Sequence, residues 1–153
     1  MLNDHTQRLR REGLNLIILK GDKTLFTSRE EGMRPLFEAI DSLGLSTLED
    51  SIVADKIVGK AAALLVSYFK AREVHCIVLS EKAREVLDKR RIRHCSERLT
   101  PEIMNRLGTD ICPFERAVLD VEDPEKGYER VYTIWSVPKP FKWKEDSISH
   151  LAS

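Results

Sequence analysis

Two short stretches hold most of the side chains able to do chemistry, and both lie where a helix is expected to begin. The first opens residues 52–69, IVADKIVGKAAALLVSYF, a run apolar nearly all the way round whose charged members are Asp55, Lys56 and Lys60, with Gly59 between them. Read as a single helix buried inside a layered domain, the run puts Asp55 at the N-cap, where its carboxylate accepts first-turn N–H groups. Lys56 and Lys60 then share one face at i and i+4. Positive charge in the first turns is unfavourable by about 0.3–1 kcal/mol at an exposed site, and an anion held among the N–H groups and ammonium heads would offset it. Gly59 would let such a ligand approach the backbone, since glycine inside a helix costs about 1 kcal/mol against alanine. The plainer use of the same residues is a tightly packed glycine between two lysines whose stems lie along apolar surface.

The second stretch is residues 104–115, MNRLGTDICPFE. Cys112 stands at an N-cap position with Pro113 at the first helical place, so its sulfur would face a helix N-terminus, a setting that favours thiolate and suits a nucleophile. Asn105 and Arg106, before a loop with Gly108, Thr109 and Asp110, suit the grip of a carboxylate or phosphate. Structural uses stand beside these: a packed corner for Cys112 with Glu115 capping the turn, and a salt bridge that fixes the loop. Ser80 is expected to cap a third helix. Taken together, Asp55, Lys56, Gly59, Lys60, Ser80, Asn105, Arg106 and Glu115 are the expected lining of an anion-accepting pocket, with Cys112 the candidate catalytic residue.

The elements that must position these groups read as a hairpin followed by alternating helices and strands. Residues 14–20 and 24–28 flank a Gly21-Asp22-Lys23 turn, a strand pair. Residues 33–43 repeat Leu36, Phe37, Ile40 and Leu43 at helical spacing before Gly44, and a linker leads into the central helix. Residues 74–80 form a strand apolar on both faces, residues 81–89 a helix, 92–95 a short strand, and 101–104 a helical turn. The fold class expected is α/β, a three-layer α/β/α sandwich with a mixed sheet. Residues 1–122 are expected to form one domain and residues 123–153 an extension, with a turn at 123–127, an edge strand over 128–137 and a flexible terminus. That terminus carries Phe141, Lys142, Trp143 and Lys144, a pattern able to stack bases and neutralise phosphates.

Composition narrows the function classes. With 25 basic and 25 acidic residues in 153, the chain has no global field to recruit nucleic acid, so nucleic acid is not an expected partner and any such binding must be local. No apolar run reaches the roughly 20 residues of a membrane-spanning helix, and no signal sequence is apparent, so a soluble cytoplasmic protein is expected. Cys76, Cys95 and Cys112 are odd in number and widely spaced, which fits reduced thiols and no zinc pattern. The Gly59-Lys60-Ala61 stretch lacks the first glycine and the Ser or Thr of a nucleotide P-loop. No cofactor or metal is expected.

The blocks VADKIVGKAAALL, LSEKAREVL and MNRLGTDICPFE, in that order and spacing, resemble the domain-of-unknown-function family 1893 over most of residues 14–119. The resemblance implies a cytidine-deaminase-like fold and leaves residues beyond about 123 outside. It does not carry deaminase chemistry, because H-x-E and P-C-x-x-C are replaced by Gly59-Lys60-Ala61 and Ser80-Glu81-Lys82-Ala83. The functional expectation is a domain that binds a small anionic ligand, or a metal-independent enzyme. The alternative is a non-catalytic protein or nucleic-acid interaction module that works through its tail or a homodimer face.

Overall fold

The computed structural model describes residues 3–105 and 107–136. Its elements in chain order are α1 (Asp4–Glu12), β1 (Leu16–Lys20), β2 (Lys23–Ser28), α2 (Arg34–Leu43), α3 (Leu45–Leu48), β3 (Ile52–Val58), α4 (Lys60–Tyr68), β4 (Glu73–Ser80), α5 (Glu81–Lys89), β5 (Arg93–Thr100), α6 (Pro113–Ala117) and α7 (Pro124–Ser136). Five strands form one sheet in the order β2-β1-β3-β4-β5. β1 runs antiparallel to both β2 and β3, while β3, β4 and β5 are parallel, so the sheet is mixed, as expected.

Two crossovers, β3-α4-β4 and β4-α5-β5, step in one direction across the sheet, and right-handed connection puts both helices on the same face. There α2, α4, α5, α6 and α7 share a single core that includes Phe37, Leu64, Leu65, Phe69, Leu87 and Val131. The opposite face is covered by α1, where Leu9 packs with Leu14, Ile17, Leu19 and Ala54. Asn3 starts α1 by accepting the N–H groups of His5 and Thr6 at 2.8 and 3.3 Å.

Three expectations need correction. Residues 52–69 are not one helix: Ile52–Val58 is a strand, and the helix begins only after Gly59. The residue types mark that change, since Ile52, Val53, Ile57 and Val58 are β-branched and stiff at χ1, whereas Ala61, Ala62, Ala63, Leu64 and Leu65 are strong helix formers. From Lys60 to Ser67 every residue of α4 is buried, so the central role assigned to it holds. Residues 101–104 make no helical turn; β5 extends to Thr100, and Met104 forms a bridge with Ile111.

The third concerns residues 128–136, which belong to helix α7 and not to an edge strand; residue 137 and the tail aromatics lie outside the described residues. Tyr128, Val131, Tyr132 and Trp135 recur at three and four residues, a helical stripe. Val131 is fully buried, Trp135 stacks on Phe37 with centroids 4.8 Å apart, and Tyr128 stacks on Tyr68 at 4.6 Å. α7 therefore closes the outer side of α4, which explains why α4 has no polar face.

Close approach of α7 to α4 requires Gly127. A Cβ there would stand 2.8 Å from Leu64 Cδ1 and 2.9 Å from Leu64 Cβ, too near the Leu64 backbone for a rotamer change to relieve. Gly127→Ala should therefore destabilise the chain by about 1–3 kcal/mol, the overpacking cost outweighing the gain in helix propensity. Urea denaturation monitored by Trp135 and Trp143 fluorescence and by circular dichroism would measure it.

Candidate functional site

The parallel strands end where α4 begins, and one carboxylate organises that corner. Glu115, from the short helix α6, accepts the backbone N–H of Lys60 on Oε1 and that of Ala61 on Oε2, each at 2.7 Å. It is thus the N-cap that α4 lacks in its own sequence, since Gly59 offers no side chain. Gly59 is required for the contact: its φ of −99° is ordinary, but a Cβ there would stand 2.5 Å from Glu115 Oε1 and 2.8 Å from Ile103. Burial pushes the Glu115 carboxyl above its usual range, opposed by the two N–H groups and by the more distant Lys82 and Lys60 charges.

Two hollows flank Glu115 and Ile103. The larger, about 630 Å³ counting the part open to solvent, is lined by Leu16, Met33, Leu36, Ile57, Ala62 and Phe114, among other apolar groups, and by Asn15, Glu30, Asp55, Gly59, Cys112 and Glu115. The smaller, about 240 Å³, has Lys60, Ser80, Lys82, Glu102 and Leu119 in its walls. The predicted residues are therefore divided between two spaces rather than gathered in one.

Asp55 is not an N-cap. It sits inside β3 opposite Leu16 and Cys76, on the face that turns toward the larger hollow, and burial pushes its carboxyl up to about 8 against the pull of the Lys56 and Ile57 N–H groups. Lys56 follows it in the strand, and alternation puts its side chain on the α1 face, away from the hollow. Lys60 is buried within α4, where its ammonium donates to Leu119 O at 3.2 Å and to Glu122 Oε2 at 3.0 Å. Lys60 is the charge that draws the Glu122 carboxyl down, mainly through that hydrogen bond. A protein carboxylate thus occupies each position where an anion was expected, at the α4 N-terminus and at the Lys60 head.

Ser80 caps α5 as expected, its hydroxyl accepting the Ala83 N–H at 3.0 Å. Asn105 closes its own loop by exchanging hydrogen bonds with Thr109 and by donating its N–H to Asp110 O at 2.7 Å, and it lines neither hollow. Arg106 lies outside the described residues. Cys112 does precede α6, but that helix is five residues long and the thiol is buried, so its pKa is pushed up to about 11 by burial despite the Glu115 and Phe114 N–H groups. The thiolate expected at a helix N-terminus is disfavoured here by lost hydration.

The sequence reading passed over Asn15. It is the one polar residue of LNLIIL, and a polar group interrupting an apolar strand is itself a signal. The residue is 9% exposed, its side-chain amide donates to Arg29 O at 2.7 Å, and its Oδ1 is buried without a hydrogen-bond partner at the wall of the larger hollow. An orphaned acceptor of this kind costs on the order of 1–3 kcal/mol, which a ligand donor would recover.

Metal chemistry of the deaminase kind does not fit these residues. The starts of α4 and α5 carry Gly59-Lys60-Ala61 and Ser80-Glu81-Lys82-Ala83, and among the described residues no group of three or more His, Cys, Asp or Glu is placed to hold an ion. No described helix is long and apolar enough to cross a membrane.

A family model for a domain of unknown function, DUF1893, matches residues 5–134. The match runs into α7 as far as residue 134, well past the position near 123 where the resemblance read from the sequence blocks ended. A solved structure titled as a DUF1893 family protein (TM1506) from Thermotoga maritima is similar at a TM-score of 0.72 and 25% identity, over 89% of this chain and 92% of that one. No curated protein matches the chain.

Two outcomes test this geometry. Glu115→Ala should cost about 2–4 kcal/mol in denaturant unfolding, because two buried N–H donors lose their acceptor. Iodoacetamide at limiting amount should label exposed Cys95 first and leave buried Cys112 and Cys76 unlabelled until the chain unfolds; labelling followed by peptide mass analysis reads the order.

Proposed function

The chain belongs to the DUF1893 family, and from that premise we propose that it is a small-molecule binding protein whose ligand enters the hollow between β3, α2 and α6. One observation carries the reading: an apolar space that contains a proton-holding carboxyl, Asp55, and an unpartnered acceptor, Asn15 Oδ1. Ligand sites are commonly of this kind, mostly apolar with a few converging polar groups, one of perturbed pKa. Asp55 with its proton donates a hydrogen bond, and Asn15 accepts one. The ligand that matches is small and largely apolar, with a donor and an acceptor on its polar edge.

Charge argues for a neutral or cationic ligand over the anionic one. The lining holds the carboxyl groups of Glu30, Asp55 and Glu115 and no lysine or arginine. The anionic reading would have to use the smaller hollow, where Lys60 and Lys82 are already engaged by Glu122 and Glu102. If the protein is an enzyme, Asp55 is the group suited to move a proton near neutral pH without a metal.

Asp55 also sets a pH dependence whose sign is fixed. Its folded pKa of about 8 stands above that of an unfolded aspartate, about 3.9, so the folded chain keeps a proton that the unfolded chain releases between those values. Stability therefore falls as pH rises from about 4 to about 8. Asp55→Asn should remove that loss, leaving the variant more stable than the parent at pH 8 by an amount on the order of a few kcal/mol. A thermal-shift screen of neutral and cationic heterocycles should yield a ligand that stabilises the parent, loses affinity above about pH 8 and binds Asn15→Leu at least tenfold more weakly. Hits confined to anions, or unaffected by both substitutions, would place the site elsewhere.

A further inference from the structure

At the opposite ends of β4 and β5 lies a third concavity, about 1190 Å³ counting open solvent. Lys70, Arg72, Arg90, Arg91 and Arg93 line it, all exposed, and Asp123 and Glu125 are the carboxylates in its wall. Asp123 is committed to α7, where it accepts the Lys126 N–H at 2.9 Å. Glu73, behind the arginines, meets Arg93 at 3.4 Å and Arg72 only at 3.8 Å. Among the described residues Lys70 and Arg91 make no side-chain hydrogen bond or ion pair, and Arg90 donates to the Glu122 carbonyl.

Backbone conformation sets Lys70 and Arg91 apart from the other cations of the groove, although Asp50, past the end of α3, is left-handed too, with φ of 65°. Each lies just past a helix, α4 or α5, with φ of 59° and 58°. The reversals are closed by matching hydrogen bonds, Lys70 N to Ser67 O and Arg91 N to Asp88 O at 3.0 Å, then Ala71 N to Val66 O and Ile92 N to Leu87 O at 2.9 Å. Glycine is the usual occupant of this left-handed position. Helix dipoles favour cations at the C-termini of α4 and α5, but a cation anywhere in the last turn satisfies them, as Lys89 does for α5. Lys70 and Arg91 hold this position in place of glycine, and both bring a cation to the wall of the same concavity.

We propose that this groove binds the phosphodiester backbone of single-stranded nucleic acid. The cations are spread over the end of α4, the start of β4, and the turn from α5 into β5, so they suit several successive phosphates rather than one. Four of the five are arginines, whose planar forks match phosphate oxygens bidentately. Overall neutrality removes any long-range pull, so recognition is local and strongly salt-sensitive. The groove is at the far end of the parallel strands from the Asp55 hollow, and the proposal stands independently of the ligand reading there.

Fluorescence anisotropy of the full chain with a labelled oligothymidylate, at several salt concentrations, tests it. Micromolar binding at low salt is expected, with log K falling against log salt at a slope of about 0.7 per phosphate, hence about 3 for four phosphates. Arg91→Gly and Lys70→Gly should melt at the parent temperature or above, since each relaxes a left-handed residue, yet each should weaken binding severalfold and lower the slope by about 0.7. Arg72→Gln, which leaves the backbone untouched, should behave likewise in binding. Absence of binding at low salt would overturn the proposal. So would binding that survives all three substitutions but is lost in Lys142→Ala with Lys144→Ala, or that polyglutamate displaces as readily as the oligonucleotide does.

Discussion

The pair of hydrogen bonds from the Lys60 and Ala61 N–H groups to Glu115 holds together the end of the molecule where β3 passes into α4. Helix α4 is enclosed on all sides, so its first N–H groups cannot be left to water, and its own sequence supplies no capping oxygen. A carboxylate from a segment 55 residues downstream supplies it instead. That single demand fixes three other things. Gly59 must lack a side chain, α6 must dock where it does, and the 103–112 segment must fold back to bring α6 there, through Cys112 N to Ile103 O at 2.9 Å. The wall between the two hollows is the product of helix capping before it is anything else.

An electrostatic economy follows. Both groups that looked like an anion site, the α4 N-terminus and Lys60, are neutralised from within the chain, one by Glu115 and the other by Glu122. The space that remains beside them is acidic and apolar. The groups expected to draw an anion are already paired, and their counter-charges lie 55 and 62 residues away, beyond what local spacing can reveal.

Much of the architecture was legible. The hairpin, α2, β4, and α5 with its Ser80 cap follow from local turn, periodicity and capping signals, and the mixed sheet follows from their order. The Asp55 strand was lost because an unbroken apolar run hides a strand-to-helix junction, although β-branched residues before Gly59 and alanines after it mark the place. Helix α7 was misread because Tyr, Val, Ile and Trp favour strands intrinsically, while their three-and-four spacing, which packing on α4 rewards, says helix. Cys112 was placed correctly in the chain and misjudged in chemistry, since a helix N-terminus and burial pull a thiol in opposite directions and only the fold tells which prevails. Asn15 left a signal that could have been read, a single amide inside an apolar strand.

The packing of α7 on α4 has a consequence for how the protein is made. The helix at the centre of the fold is completed in sequence by Tyr68, yet one of its faces is covered only by residues 124–136, which leave the ribosome after every described strand has emerged. Until then Leu64, Phe37 and Tyr68 lack the residues that pack on them, Gly127, Trp135 and Tyr128. Nascent chains of this architecture must spend the interval between the two helices in a form with its centre uncovered, the state in which chaperones bind and aggregation begins.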